Sequence, residues 1–253
     1  MLSTLDNLAV VALSVAASLF FMWIVNRFWP HDIRRAHNDL IGWQLSVLGT
    51  TYAVIVGFML YTVWIDFGTA ELNAGQEANA LVNVYRQAAG LPASEEEQLR
   101  LLARKYADVV VNQEWDEMNR NILPVASDKI CNEMWRLLEQ TPTSNPSEIG
   151  AKNHILTEIS SLTGYRRTRL VQFASRIPGV LWWVLLVGAV ITIASTCMFG
   201  AASRVLHAIQ VSALSLLLSL VLVAIADINR PFQGGVHVDD FAFRRAQINM
   251  SDE

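Results

Sequence analysis

Four long uncharged runs constrain this chain more than any motif in it. Residues 8–25, 40–65, 177–203 and 205–226 contain no Asp, Glu, Lys or Arg. Each reaches about 18 residues or more, enough for an α-helix to cross roughly 30 Å of hydrocarbon. A soluble core of this size has no place for so many uncharged residues in unbroken runs. The chain is therefore expected to be an all-α polytopic membrane protein with four transmembrane helices and a helical insertion between the second and third.

Charge supports that division. Residues 66–178 hold 15 of the 23 acids and 12 of the 19 bases, which marks the middle of the chain as an aqueous domain. No basic tail points to nucleic acid, and no glycine loop suited to phosphate is present. Cys131 lies in the polar middle and Cys197 in an apolar run, so neither a disulfide nor a metal pair is expected. The first run is read as a retained helix. Residues 1–7 lack Lys and Arg, and the run ends in Phe20, Phe21, Met22 and Trp23 where a signal peptide would carry small residues.

The expected organisation is transmembrane helices one and two in 1–65, an extramembrane helical domain in 66–176, helices three and four in 177–228, and a polar tail with isolated aromatics in 229–253. Helix one ends at Trp29-Pro30, where proline breaks the pattern. Helix two continues past the membrane. Ala70, Ala74, Ala78, Leu81, Tyr85 and Ala88 recur at helical spacing up to Gly90-Leu91-Pro92. A rod over 40–89 would be about 75 Å long and would project well out of the bilayer. Ser94 followed by Glu97 reads as a capping box. The helix it opens carries Leu99, Leu102, Tyr106, Val109, Val110 and Trp115 on one face. Further helices are expected over about 127–140 and 147–175.

The Lys and Arg residues near the membrane ends count seven on the side of the middle domain and tail against four in the short connectors. That places the middle domain in the cytoplasm of a bacterial inner membrane protein, although the first helix, with bases only at its trailing end, argues the other way.

Helix two is the most legible. Gly42, Ser46, Gly49, Ala53 and Gly57 share one face, as helix-packing positions do when small residues let helices approach closely in lipid. Roughly opposite run Gln44, Leu48, Thr51, Ile55, Phe58, Thr62 and Asp66. This second stripe either faces lipid and neighbouring helices or surrounds an axis with its copies, so that Ile55 and Phe58 form a hydrophobic constriction. Helix four carries Ser212, Ser215 and Ser219 in a stripe expected to serve packing, and His207 is expected at the interface within reach of water.

No catalytic constellation emerges, and neither an enzyme nor a cofactor or metal is expected. Glu114, Asp116 and Glu117 read as a solvated helix face, and the histidines lack ligand spacing. Arg166, Arg167 and Arg169 read as a cluster meeting lipid phosphates.

The order of elements, two membrane helices, a helical insertion, two more helices and a Pro-Phe-x-Gly turn, resembles the bestrophin-like family and in particular its bacterial DUF4239 branch. The local marks are Gly57-Phe58, Glu77-Ala78, Glu114-Trp115, Arg166-Arg167-x-Arg169-Leu170, Pro178-x-x-Leu181-Trp182 and Pro231-Phe232-x-Gly234. Bestrophins proper are homopentameric ion channels, anion-selective in animals and with cation-conducting relatives in bacteria. Their second helix lines a narrow hydrophobic neck. The resemblance implies a homo-oligomer, a pentamer, that passes small inorganic ions, with Leu48, Thr51, Ile55, Phe58 and Thr62 as pore-lining candidates. The register is open, because Val54 and Val56 flank Ile55. In calcium-gated members the turn runs into a dense acidic cluster. Here Gln233 interrupts it and only Asp239 and Asp240 follow, so no calcium clasp is expected. The competing reading is a membrane-anchored interaction or regulatory protein whose helical domain binds a cytosolic partner.

Overall fold

The computed structural model describes residues 4–251, and every regular element among them is helical. Four helices are long and apolar enough to cross a membrane. They are α1 (Thr4–Phe28), the first part of α3 (Asn38–Gln87), α8 (Gly179–Cys197) and α9 (Arg204–Ile228). A short α2 (His31–Arg35) follows Pro30, which breaks the pattern after α1. The expected rod is present: α3 is one 50-residue helix, about 75 Å long, ending in a tight turn at Ala88–Gly90.

The chain divides into two compact units. Unit 1 holds residues 1–65 and 176–229, and unit 2 holds 66–175 and 230–253. In unit 1, Tyr52, Val56 and Val63 of α3 pack with Leu185 and Ala189 of α8 and Ile225 of α9. Met22 of α1, Cys197 and Val211 form a second small core. The serine stripe of α9 does serve packing. Ser215 accepts or donates a 2.8 Å bond with Ser18, and Ser219 pairs with Ser14, joining α9 to α1 in place of apolar contact. Such bonds substitute for the hydrophobic drive that lipid withholds.

Unit 2 is built from the second part of α3, α4 (Ala93–Val109), α5 (Trp115–Asn119), α6 (Ala126–Gln140), α7 (Pro146–Ala174) and α10 (Phe241–Ser251). Its core includes Ala70, Ala74, Ala78, Leu81 and Tyr85 of α3, with Leu99, Tyr106, Met134, Ile155 and Ile159. The N-terminus of α7 is capped by Asn145, which accepts from the Glu148 amide at 2.9 Å. Three expectations are corrected. The capping box at Ser94 does not form. The Pro92 carbonyl takes the amides of Glu95 and Glu96, so Ser94 already lies inside the first turn and accepts instead from Gln98. The segment after residue 229 is more than a polar tail, because Phe243, Ala246 and Met250 of α10 are buried in the unit 2 core. His207 does not reach water: it is buried, and its Nε2–H donates to the Thr196 carbonyl at 3.0 Å, tying α9 to the end of α8.

Candidate functional site

In unit 1 the membrane part of α3 presents three sectors. At 3.6 residues per turn, Tyr52, Val56 and Val63 lie together and form the seam against α8 and α9. Tyr52 fixes that seam, donating its hydroxyl to the Leu185 carbonyl at 2.8 Å. Leu48, Thr51 and Ile55 flank the seam and, with Val184, Val187 and Ile191 of α8, line a groove of about 310 Å³. Phe58 and Val54 each lie about 160° from Val56. They are 68% and 52% exposed, the outermost side of the helix in one protomer. Thr62 is exposed as well, its hydroxyl returned to the Phe58 carbonyl at 2.9 Å. The five pore-lining candidates thus separate into Leu48 and Ile55, turned toward α8, and Phe58 and Thr62, turned away from the protomer, with Thr51 exposed at the edge between the two sets.

The small-residue face of α3 finds little within one protomer. A side-chain carbon at Gly49 or Gly57 would meet nothing within 4 Å, and at Gly42 it would meet only the Phe199 ring at 3.6 Å. Ala53 is exposed, and Ser46, also exposed, bonds back to the Gly42 carbonyl. Close approach inside the protomer comes from other glycines. A carbon added at Gly188 would stand 2.5 Å from the Tyr52 ring, so this glycine lets α8 meet α3. One added at Gly200 would collide with the backbone of Arg35 and His31. Beside it, buried Arg34 donates to the Cys197 and Phe199 carbonyls at 3.1 and 3.2 Å, placing a cation where the end of α8 leaves carbonyls without partners.

Unit 2 holds a buried ionic cluster. Arg169 of α7, Glu77 of α3 and Glu114 all have fully buried side chains. Arg169 donates to both Glu77 oxygens at 2.8 and 3.0 Å and to Glu114 at 2.9 Å, and it stands 5.4 Å above the Trp115 ring. Tyr106 donates its hydroxyl to Glu77 at 2.7 Å. The Ser127 amide donates to Glu114 at 2.8 Å, and Arg166 donates to the Ser127 hydroxyl and to Asp128. Burial pushes the Glu114 carboxyl up, but Arg169 and the Ser127 bonds outweigh it and hold the group below the usual carboxylate range. Burial, with Glu77 beside it, lifts the Tyr106 hydroxyl well above its ordinary value.

The cluster overturns two sequence expectations. Glu114 is not part of a solvated face, and Arg166 and Arg169 meet carboxylates and a hydroxyl where lipid phosphates were expected. Glu114 continues the buried run Leu99, Ala103, Tyr106 and Val110 by a step of four, so it lies in the core phase of its helix. The π-helical turn at Val110–Glu114 brings Trp115 inward beside it, while Asp116 stays exposed.

The Pro-Phe-x-Gly turn closes over the same place. Phe232 is buried edge-on against Trp115 at 5.7 Å, and the Trp115 indole donates to the Val238 carbonyl at 3.0 Å. Gly234 takes φ 96°, a left-handed conformation open to glycine. Gln233 is buried and donates to Asn121, itself the left-handed residue that ends α5. Asp239 accepts from the Phe241 amide and Asp240 pairs with Arg244, both at the start of α10. These donors do not converge, so the turn does not fit a calcium ion with its six to eight oxygen ligands. Among the described residues no group of three or more His, Cys, Asp or Glu is placed to hold a metal.

Of the marks of the family resemblance outside the membrane part, Glu77, Glu114-Trp115, Arg166, Arg169 and Phe232 therefore meet in unit 2, while Arg167 is exposed. Comparison with solved structures finds bacterial bestrophin homologues from Klebsiella pneumoniae. One is 15% identical with TM-score 0.66 over 98% of each chain, and another is 15% identical with TM-score 0.65 over 97% of each. A structure described as a membrane protein is 14% identical with TM-score 0.68 over 97% of each chain. At these identities the likeness is one of fold. No curated protein matches the chain. The model of the bestrophin-like domain, however, matches residues 12–243, nearly the whole sequence, and the chain belongs to the bestrophin-like family.

Proposed function

We propose that this chain is the subunit of a homo-oligomeric ion channel, a pentamer in the inner membrane, with unit 2 on the cytoplasmic side and a neck lined by α3. The observation that carries the reading is the uncovered outer side of α3. Val54 and Phe58, four residues apart, stand exposed on the side opposite the seam that binds α3 to its own bundle. Thr51 and Thr62 are exposed beside them. Around an axis, a ring of Phe58 with Val54 one turn away gives a short hydrophobic constriction, of the kind that gates by dewetting, with threonine hydroxyls at its ends. Ile55, expected to share that ring, takes the lesser role of seating α3 on α8. The small-residue face of Gly49, Ala53 and Gly57, open in one protomer, is then the surface for a helix of the neighbouring subunit.

The test is planar-bilayer recording of the purified full chain under an asymmetric salt gradient, which reads conduction and charge preference together. Phe58→Ala is expected to raise conductance, and Ile55→Ala to change it less. A conducting wild type indifferent to Phe58→Ala refutes the neck. A protein that conducts nothing and elutes as a lone subunit returns the reading to a membrane anchor for a cytosolic partner.

A further inference from the structure

Between α5 and α6 the chain runs through Asn121, Ile122, Leu123, Pro124 and Val125, with no charged residue among them. Ile122, Leu123 and Val125 are 51%, 57% and 61% exposed. Three outward aliphatic side chains so close together in an irregular loop mark a surface that meets something other than water. The loop is also held in shape. Asn121 takes φ 62°, its amide and that of Ile122 return to the Met118 and Glu117 carbonyls, and Pro124 is buried.

Hydrogen bonds at both ends of the loop tell what lies within its reach. Asn121 accepts from Gln233 at 2.8 Å. The Gln233 amide donates to the Arg230 carbonyl at 3.0 Å, closing a tight turn, and Arg230 stands two residues beyond the end of α9. Chain length alone therefore keeps Gln233 within about 14 Å of the last residue of α9, however the two units are arranged. At the other end Ser127 accepts from Arg166, which stands about 12 Å of helix before α7 ends at Ala174. A short link then leads into α8 at Gly179, and within unit 1 the Ile177 amide donates to the Asn229 side chain at 3.1 Å. The start of α8 and the end of α9 are thus on one side, and both helices are long and apolar enough to span a membrane. The loop is pinned to the two segments that carry the chain into the bilayer on that side.

The chemistry selects lipid over protein. A stable protein interface buries about 800 Å² a side, far more than three half-exposed side chains offer. The loop has no carboxylate to oppose phosphate. Near its ends Lys129 and Arg230 are exposed, with no side-chain partner among the described residues. Bases flanking an aliphatic tip suit a phospholipid surface, with cations level with the phosphates and aliphatic groups below them. An irregular backbone does not enter hydrocarbon, so only the side chains go deeper than the headgroups.

We propose that this loop is a membrane contact of unit 2, with Ile122, Leu123 and Val125 inserted into the phospholipid surface at which α9 leaves the bilayer. The proposal does not depend on conduction.

The experiment places the full chain in nanodiscs of phosphatidylcholine and phosphatidylglycerol, with a nitroxide attached to Leu123→Cys. Electron paramagnetic resonance then compares its accessibility to oxygen, which concentrates in lipid, and to a nickel chelate, which stays in water. Both native cysteines are buried, so the wild type should take up little label. Ile149→Cys is the reference. Ile149 is also aliphatic and exposed, in the first turn of α7 and about 37 Å of helix from Ala174. The oxygen-to-nickel ratio at Leu123→Cys is expected to exceed that at Ile149→Cys severalfold. Val125→Cys is expected to behave as Leu123→Cys does and replaces it should that variant fail to assemble. Loop positions as open to nickel as Ile149→Cys would overturn the proposal. Loop labels shielded from both reagents would overturn it too, since a neighbouring subunit would then be the cover.

Discussion

Replacing Arg169 with alanine is the sharpest perturbation of unit 2. The substitution removes three charge-assisted bonds, at 2.8, 3.0 and 2.9 Å, and strands Glu77 and Glu114, both fully buried, as facing carboxylates. Breaking a buried pair from one side costs about 3–5 kcal/mol, because the remaining charge keeps its desolvation penalty. For a chain of this length each kcal/mol moves the midpoint by about 2–4 °C, so Arg169→Ala is expected to lower it by about 6–20 °C. The assay is thermal unfolding of the full chain in detergent, followed by tryptophan fluorescence. A triple variant, Glu77→Gln, Glu114→Gln and Arg169→Met, removes all three charges together and should recover most of the loss. The Tyr106 and Ser127 donors still find an amide oxygen there. The pH dependence carries a definite sign. In Arg169→Ala the carboxyl of Glu114 keeps its burial and loses the cation that offsets it, so it binds a proton more readily folded than in the wild type, and acidification from pH 7 toward 5 should narrow the gap. A loss under about 1 kcal/mol, or a gap that ignores pH, would refute the idea that Arg169 neutralises this cluster.

Other expectations follow from the same geometry. Phe58→Ala should raise single-channel conductance or liposome leak by about threefold or more, while Ile55→Ala should chiefly lower the unfolding midpoint. Gly188→Ala forces the Tyr52 ring from a position 2.5 Å from the new carbon, and about 1–3 kcal/mol of stability should be lost in thermal unfolding. Tyr52→Phe, which gives up only the bond to Leu185, should cost about 1 kcal/mol by the same measurement. In the wild type, Glu114 titrates lower folded than unfolded, so its contribution is complete above the unfolded carboxyl value of about 4.3. It fades as pH falls below that, and a pH series of midpoints that stays flat from pH 5 to 3 would contradict the assignment.

The membrane spans and the α3 rod were legible because each rests on one local property, an unbroken apolar run or a sustained helical period. The buried cluster was not, because its members are 37 to 92 positions apart and a lone charge looks solvated. A signal was nevertheless present. On α7 the buried positions Ile155, Ile159, Leu162, Arg166, Arg169 and Phe173 step by three and four, so both arginines occupy core phase. Glu77 likewise falls in step with Ala70, Ala74 and Leu81 on α3. A charge in phase with an apolar stripe points to a buried partner. Glu114 gave the same signal, a step of four beyond the run Leu99, Ala103, Tyr106 and Val110. The last helix was legible in principle from Phe243, Ala246 and Met250, but an 11-residue amphipathic pattern beside a polar loop is weak until a core is there to receive it. On α3, composition showed two special faces without telling which belonged to the protomer. Within the protomer, the close contact on α3 comes from Gly188 of α8.

Electron cryo-microscopy of the purified full chain in lipid nanodiscs tests the central claim most directly. The account expects a closed ring of copies in which the Phe58 side chains approach one another around the axis, with Gly49, Ala53 and Gly57 against a neighbouring subunit. A solitary protomer, or a ring whose Phe58 side chains point outward into lipid, contradicts it.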